Sequence, residues 1–476
     1  MDHLKFYIDG EWVAPVTPRP HPVENPATGE EIATISLGSA ADVDKAVAAA
    51  TRAFESWSMT PVAERRALVE KFLGIYDRRF EEMAQTKTAE LGAPITMSRE
   101  QQADTGSGHT RGFLDALVEV IWEEKLTNGD TLSREPIGVV GLITPWNWPM
   151  NQIALKVIPA LLTGCTCVLK PSENTPLNAL LWAEMMDEAG FPPGVFNLVN
   201  GDGPEVGSAL SKHPDIAMMS FTGSTRAGTA VTVDAAPTVK RVTLELGGKS
   251  PNIIFADCDL EDRVAGGVLE VMNNTGQSCN APSRMIVEAS AYDQAVETAA
   301  EVANKVEVGP ASEEGRHIGP VVNEAQWGKI QDLIQKGIDE GARLVAGGTG
   351  RPEHLNRGFY VKPTVFADVT SDMTIAREEI FGPVLAIMKF EDEDQAVEMA
   401  NDTVYGLTNY VQSSDGARRN RLAAKLRSGM VEMNGESRGA GSPFGGMKRS
   451  GNGREGGVWG IEDFCEVKAV SGWSND

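Results

Sequence analysis

Cysteine is scarce and unpatterned in this chain. Five occur, at positions 165, 167, 258, 279 and 465, with no C-x-x-C among them. An odd, sparse set excludes a disulfide framework and the usual zinc-cluster spacings, so no metal site is expected. Positive charge is also short. Lys and Arg number 43 against 67 Asp and Glu, a net charge of −24, and no dense basic cluster offsets the excess. Such a chain repels nucleic acid and anionic membranes, and neither is expected as a partner. Long hydrophobic runs are missing. The most apolar stretch, residues 153–169, is broken by Lys156 and Pro159 and falls short of a membrane span. The N-terminus MDHLKFYIDGEW has no apolar signal core, so a cytoplasmic, reducing location is expected. The G-x-G-x-x-G dinucleotide fingerprint is absent. Gly201, Gly203 and Gly207 come near it, but the spacing is wrong and Pro204 intervenes, which reads as a tight strand-to-helix turn.

What remains is an ordinary globular composition, 41% hydrophobic and 23% charged over 476 residues, enough for about two to four domains. Residues 6–13 read as a small strand pair. Val43, Val47, Ala50, Phe54 and Trp57 follow at helical spacing, a core-facing stripe. From Ile137 strands and helices alternate: strands at 137–143, 165–169, 195–199, 216–221 and 239–244, helices at 151–162, 176–189, 205–212 and 225–235. Apolar strands separated by helices predict a parallel sheet covered on both faces. A second alternation follows, with strands at 252–255, 284–287, 342–346, 384–390, 408–411 and 430–433. The boundary falls at Gly247–Gly248. Residues 126–135 and 467–472 are strand-like pieces outside either alternation.

Two short runs carry chemistry. Cys279 lies in GQSCNAPSR, and Glu245, 34 residues upstream, opens ELGGK. A lone cysteine is as a rule a small core hydrophobe, and a glutamate beside glycines a solvated turn. Together they supply a sulfur nucleophile, a carboxylate that can take a proton from thiol or water, and glycines that admit close approach. Asn147 in TPWNWP is a candidate side-chain donor to an oxyanion, with the Cys279 N–H as its natural partner. FTGSTRAG (Phe221 to Gly228) joins a strand to a helix start, where N–H groups favour phosphate. Lys170 and Glu173 in KPSENTP end a strand where they can reach a ribose diol.

ELGGK and GQSCNAPSR, with TPWNWP, KPSENTP, FTGSTRAG, EEIFGPV (Glu378 to Val384) and SPFGGMKRSGNGRE (Ser442 to Glu455), resemble motifs of the aldehyde dehydrogenase superfamily, in the family's order. The similarity runs from about Phe6 to Val470. It implies an α/β fold: a Rossmann-like cofactor domain (1–117 and 136–247), a second α/β catalytic domain (248–450), and a small β arm (118–135 and 451–476) that pairs subunits in a homodimer or homotetramer.

The resemblance also implies an activity: oxidation of a small aldehyde to the acid, through a Cys279 thiohemiacetal and thioester hydrolysed with Glu245 as base. NAD is the implied cofactor, because a Glu173 carboxylate crowds a 2′-phosphate; NADP is the alternative. Its groove draws on Thr144, Trp146, Lys170, Ser172, Glu173, Gly203, Gly207, Phe221, Leu246, Gly247 and Gln326. Gly223 and Ser224 lie against the pyrophosphate, and Glu379 and Phe381 against the nicotinamide ribose and ring. Lys156 and Glu455 resemble a proton path from Glu245. For substrate, Trp148, Asn151, Gln152, Arg438 and Phe444 border the expected tunnel. The polar Asn151 and Gln152, with Arg438 in the mouth loop, favour a semialdehyde or a polar-tailed aldehyde over the alternative of a broad aliphatic or aromatic range. A coenzyme A-acylating relative normally lacks the Glu245 base. A non-enzymatic structural relative has no use for Cys279, Asn147, Glu245 and Glu379 together.

Overall fold

The computed structural model describes residues 3–439 and 441–473. Its first sheet has eight strands, in the order Gly451–Asn452, Arg241–Glu245, Met218–Thr222, Val139–Ile143, Thr166–Lys170, Phe196–Leu198, Phe6–Ile8 and Glu11–Val13. The five central ones, from Arg241–Glu245 to Phe196–Leu198, are parallel. Both edges are antiparallel, so the sheet is mixed where the strand pattern alone predicts a parallel one. Strands Val139–Ile143, Thr166–Lys170 and Met218–Thr222 are buried along their whole length, because helices cover both faces. One of those helices, Pro149–Thr163, is the apolar stretch that is too short to span a membrane. Pro149 opens it, left-handed Gly164 ends it, and nearly every residue is buried. Among the described residues no helix is long and apolar enough to cross a membrane.

The second sheet has seven strands: Arg343–Ala346, Thr364–Ala367, Val384–Phe390, Arg284–Glu288, Pro251–Ile254, Thr408–Gln412 and Met430–Met433. All pairs but the first are parallel. A third, antiparallel sheet joins Cys465–Val470, Thr131–Pro136 and Glu123–Lys125. It holds the two strand-like outliers of the sequence. Gly451–Asn452, just ahead of it, instead extends the first sheet beside Leu244 and Glu245.

Three elements depart from the sequence pattern. The helix expected at 205–212 is a π-helical turn, Gly203–Gly207, followed by only Ser208–Lys212. Asp202 is the N-cap of that turn and accepts from the Glu205 N–H, and Pro204 is tolerated in the first turn, where an N–H has no helical partner. A hairpin of Pro20–Asn25 and Glu30–Ser36 has no sequence signal, since prolines and paired glutamates interrupt its alternation. Thr364–Ala367 is too short to stand out, and its place beside Val384–Phe390 decides it.

The chain passes between the sheets at residues 245–251, and a buried arginine pins the crossing. Arg284, 2% exposed, donates to the carbonyls of Lys249 (2.9 Å), Met399 and Ala400 (both 3.0 Å). Planar, divergent donors suit three carbonyls; an ammonium on a flexible stem does not. Arg284→Met should lower stability by about 3 kcal/mol or more, since buried carbonyls lose a charged donor. Arg284→Lys should recover only a minor part. Urea midpoints and Tm check this, and a wild-type midpoint for Arg284→Met would refute it.

Candidate active site

The site forms where the first sheet's strand ends meet the loop that carries Cys279. Glu245 is the last residue of its strand. It is buried, and neither carboxylate oxygen has a hydrogen-bond partner. Burial pushes its pKa well up, the Glu455 charge adds to this, and Lys156 and Arg454 oppose it. Gly445 closes over the carboxylate: a methyl group there would stand 2.7 Å from Glu245 Oε1.

Cys279 follows a strained turn. Asn274, Thr275 and Gly276 have φ of 49°, 55° and 72°, three left-handed residues in a row. For a β-branched residue that is costly, and surrounding bonds must hold it. Thr275 Oγ1 donates to Gly319 O (3.0 Å), and Gln277 Nε2 to Asn274 O (3.0 Å). The Gln277 Oε1 accepts from Val322 N (2.9 Å). Cys279 as a residue is half-buried, while its thiol is screened from water. Loss of water raises its pKa first, then the charges of Glu379, Glu245 and Glu455. Burial and the three neighbouring carboxyl groups thus act in the same direction, against the thiolate.

Asn147 lies buried opposite. Its Nδ2 donates to Gln277 O at 3.0 Å, two residues before the cysteine. Trp148 Nε1 donates to Ser278 Oγ at 2.8 Å. Behind Glu245, the Lys156 ammonium makes a close ion pair with Glu455 and donates to Ser220 Oγ (3.1 Å). Glu455 Oε2 has no partner. Lys156, Glu455 and Glu245 therefore form one buried charged group.

Gly247 and Gly248 are glycines for want of space. A methyl group on Gly247 would meet Glu379 Oε2 at 2.2 Å; one on Gly248 would meet Cys279 O at 2.4 Å. Glu379 Oε1 also accepts from Gly248 N (2.9 Å). Gln326 Nε2 braces the Glu379–Phe381 loop by donating to Ile380 O (3.3 Å) and Phe381 O (2.8 Å). Phe381 sits edge-on to Trp146 at 5.4 Å.

The remaining expected cofactor residues line the carboxyl ends of the first sheet. Ser224 caps the helix Thr225–Ala235, and Gly223 precedes it. Lys170 Nζ lies 3.4 Å from Glu173 Oε2, and the backbone N–H of Asn174 donates to Ser172 Oγ (3.2 Å). Phe221 and Leu246 are buried behind the cap. Gly207 is near Lys170, while Gly203 is exposed. A helix N-terminus, an acid–lysine pair at a strand end and the orphaned buried hydroxyl of Thr144 fit a dinucleotide.

The expected substrate residues are only partly gathered. Gln152 is buried, Asn151 partly so, and each has an amide oxygen without a partner. Phe444 lies one residue from Gly445. Arg438 is exposed, its guanidinium 4.9 Å above the Phe444 ring, and its Nε is 3.3 Å from Glu432 Oε1. Glu432 is thus a mouth residue that sequence reasoning missed. His109 is another: Asn151 and Arg438 both act on it, and burial pushes its pKa down to about 4. Neither lies in a motif. Asn434 spends its amide on both backbone groups of Ser413 (3.0 and 3.1 Å).

Comparison with known proteins supplies the context for this geometry. The model of the aldehyde dehydrogenase family matches residues 12–470. A 3-succinoylsemialdehyde-pyridine dehydrogenase of a Pseudomonas species is 51% identical over 474 residues, 99% of each chain. The crystal structure of an aldehyde dehydrogenase from Bartonella henselae is 58% identical, with TM-score 0.97 over 98% of this chain and 99% of that one. A cysteine-to-alanine variant of aldehyde dehydrogenase C from Pseudomonas syringae, solved with NAD+ and octanal, is 50% identical, with TM-score 0.98 over 100% of this chain and 98% of that one.

The carboxylate pressure on Cys279 is open to measurement. Iodoacetamide should modify the Cys279 peptide slowly at neutral pH and faster as pH rises. Glu379→Gln removes a negative charge that disfavours thiolate, so its rate profile should move to lower pH. A profile identical to wild type would mean that Glu379 does not act on the sulfur.

Proposed function

The chain belongs to the aldehyde dehydrogenase family, and on that premise we propose that it oxidises a semialdehyde or polar-tailed aldehyde through a Cys279 thioester hydrolysed with Glu245 as base. As a member of this family it is an oxidoreductase that takes aldehydes and works with NAD. The bound cofactor supplies the hydride acceptor. The chain's own groups do the rest. Cys279 gives its proton to the Glu245 carboxylate and adds through sulfur to the carbonyl carbon, whose C=O π pair moves to oxygen; the oxygen then takes up a proton to give a thiohemiacetal. The Asn147 amide and the Cys279 N–H face the developing oxyanion. After oxidation, Glu245 takes a proton from water as the water oxygen adds to the thioester carbonyl. The C–S bond then breaks, the acid leaves and the Cys279 sulfur keeps the electron pair, while Glu455, held by the Lys156 ammonium, offers a free oxygen to relay the proton from Glu245.

One observation carries this reading: a buried Glu245 carboxylate with both oxygens unpartnered and its pKa raised, acting on the Cys279 thiol. A carboxylate already spent on a salt bridge is a poor base; this one is not. It also speaks against transfer to coenzyme A. Glu245→Gln should cut steady-state turnover by about 100-fold or more while leaving one rapid turnover of NADH. A full wild-type steady rate would assign water activation to another group.

For the substrate, the open amide oxygens of Asn151 and Gln152 and the Pseudomonas relative's semialdehyde support a polar tail. Trp148, Phe444 and the octanal bound to the Pseudomonas syringae protein favour the second reading, a broad aliphatic range. Glu173 beside Lys170 supports NAD over NADP. In this reading residues 1–117 and 136–247 hold the cofactor and 248–450 the nucleophile. The arm segments, 118–135 and 451–476, pair subunits in a dimer or tetramer; exposed Trp459 and Val467 supply apolar surface for that contact. Five free cysteines suit the cytoplasm.

Arg438 gives the sharpest test of the tail. Its charge already faces Glu432, so a tail carboxylate must share it. Arg438→Ala should lower kcat/KM for a short semialdehyde ending in a carboxylate by about ten- to a hundredfold, the worth of a charged hydrogen bond. Octanal should be little affected. Equal losses for both, or a wild-type preference for octanal over the semialdehyde, would exclude Arg438 from substrate recognition.

A further inference from the structure

Beneath Asn147 and the cysteine loop runs a buried polar chain that no motif contains. It begins at Lys87, on the helix Phe80–Leu91, fully buried. Lys87 Nζ donates to Gln102 Oε1 at 3.1 Å. Gln102, also fully buried, lies in a π-helical segment, Ser98–Ala103, that interrupts the helical run. Such segments are rare and are frequently found at functional sites. Gln102 Nε2 donates twice: to Asn147 O (2.9 Å) and to Asn274 Oδ1 (3.2 Å). Asn274 Nδ2 in turn donates to Asn147 O (3.0 Å) and Gln277 O (3.2 Å). The Gln277 carbonyl is the same group that accepts from the Asn147 side chain.

Every polar atom of the Gln102 amide is therefore used, and its orientation is set from one side. An amide has one acceptor end and one donor end. The ammonium form of Lys87 has only donors and the Asn147 carbonyl can only accept, so the Gln102 oxygen faces Lys87. That turns the NH2 toward two acceptors, the Asn147 carbonyl and Asn274 Oδ1. The reverse orientation would set oxygen against both of those oxygens and nitrogen against Lys87. Glu90, buried beside Lys87, is committed elsewhere, accepting from Leu177 N (2.7 Å) and Asn178 N (2.9 Å).

We propose that Gln102, oriented by Lys87, is a positioning residue for aldehyde oxidation: it fixes at once the peptide of Asn147 and the left-handed turn ahead of Cys279. The inference rests on the reading of Asn147 as oxyanion donor and Cys279 as nucleophile. Gln102 touches neither substrate nor sulfur. It sets the distance between the donor and the nucleophile, because it is bonded to both segments. An error of about 1 Å in such a distance costs about a hundredfold in rate.

The test is a double-mutant cycle. Gln102→Met keeps the volume and removes both donors. It should lower kcat by about ten- to a hundredfold, with NAD affinity unchanged by fluorescence titration. In an Asn147→Ala background the same change should have little further effect on kcat, since no donor remains to be positioned. Lys87→Met is the second variant. It leaves both Gln102 donor bonds in place and removes only the partner of the amide oxygen, so it should show a smaller loss with the same dependence on Asn147. A loss from Gln102→Met of equal size in both backgrounds would mean a merely structural role and overturn the proposal, as would unchanged kcat in the wild-type background. If Gln102→Met does not fold, Lys87→Met decides by the same criteria. Asn147→Ala alone tests the underlying reading. Wild-type kcat in that enzyme removes the oxyanion donor and the proposal with it; a crippled Asn147→Ala enzyme with additive losses removes the proposal only.

Discussion

Between Glu245 and Lys249 the backbone crosses from one sheet to the other so close to its neighbours that no side chain fits. The carboxylate of Glu379 fills the space beside Gly247, and the carbonyl of Cys279 fills the space beside Gly248. Much else follows from this contact. Glu245 ends a parallel strand of the first sheet, and three residues later, at Gly248, the chain touches the Cys279 loop. Arg284 holds the far side of the crossing through the Lys249 carbonyl, so the GQSCNAPSR run supplies both the sulfur and the clamp that keeps ELGGK beside it.

The electrostatics of the seam are set for restraint. Burial raises the Cys279 pKa, and the charges of Glu379, Glu245 and Glu455 add to it. A thiol in such a place reacts poorly by itself. The same burial raises Glu245 and makes it a stronger acceptor of protons. Lys156 is the one buried cation in direct contact with this group among the described residues, through Glu455. The arrangement stores negative charge around the sulfur, next to the groove where the family's cofactor binds.

Much of this was legible in the chain. The order of strands and helices from residue 137 onward could be read from apolar runs and their punctuation, with ends displaced by one or two residues. The helix Thr225–Ala235 and the strands Val384–Phe390 and Met430–Met433 have the same ends in sequence and structure. Cys279, Glu245 and Asn147 stood out because their neighbours are unusual: glycines, prolines and tryptophans in short, dense runs. Gln102, Lys87, His109 and Glu432 did not. They sit in helices and a strand among ordinary polar residues, where a buried amide and a solvated one look the same.

The sequence by itself determined the family, the alternating α/β architecture and the types of group at the reacting centre, because those depend on local pattern and on motifs a few residues long. The tertiary structure decided which polar residues are buried together. Lys87, Gln102, Asn147 and Asn274 are separated by up to 172 positions along the chain within single hydrogen bonds. The strained turn at Asn274–Gly276 exists only because those distant groups hold it. Hydrogen bonds between remote segments leave no periodicity behind, since their partners are chosen by packing and not by spacing.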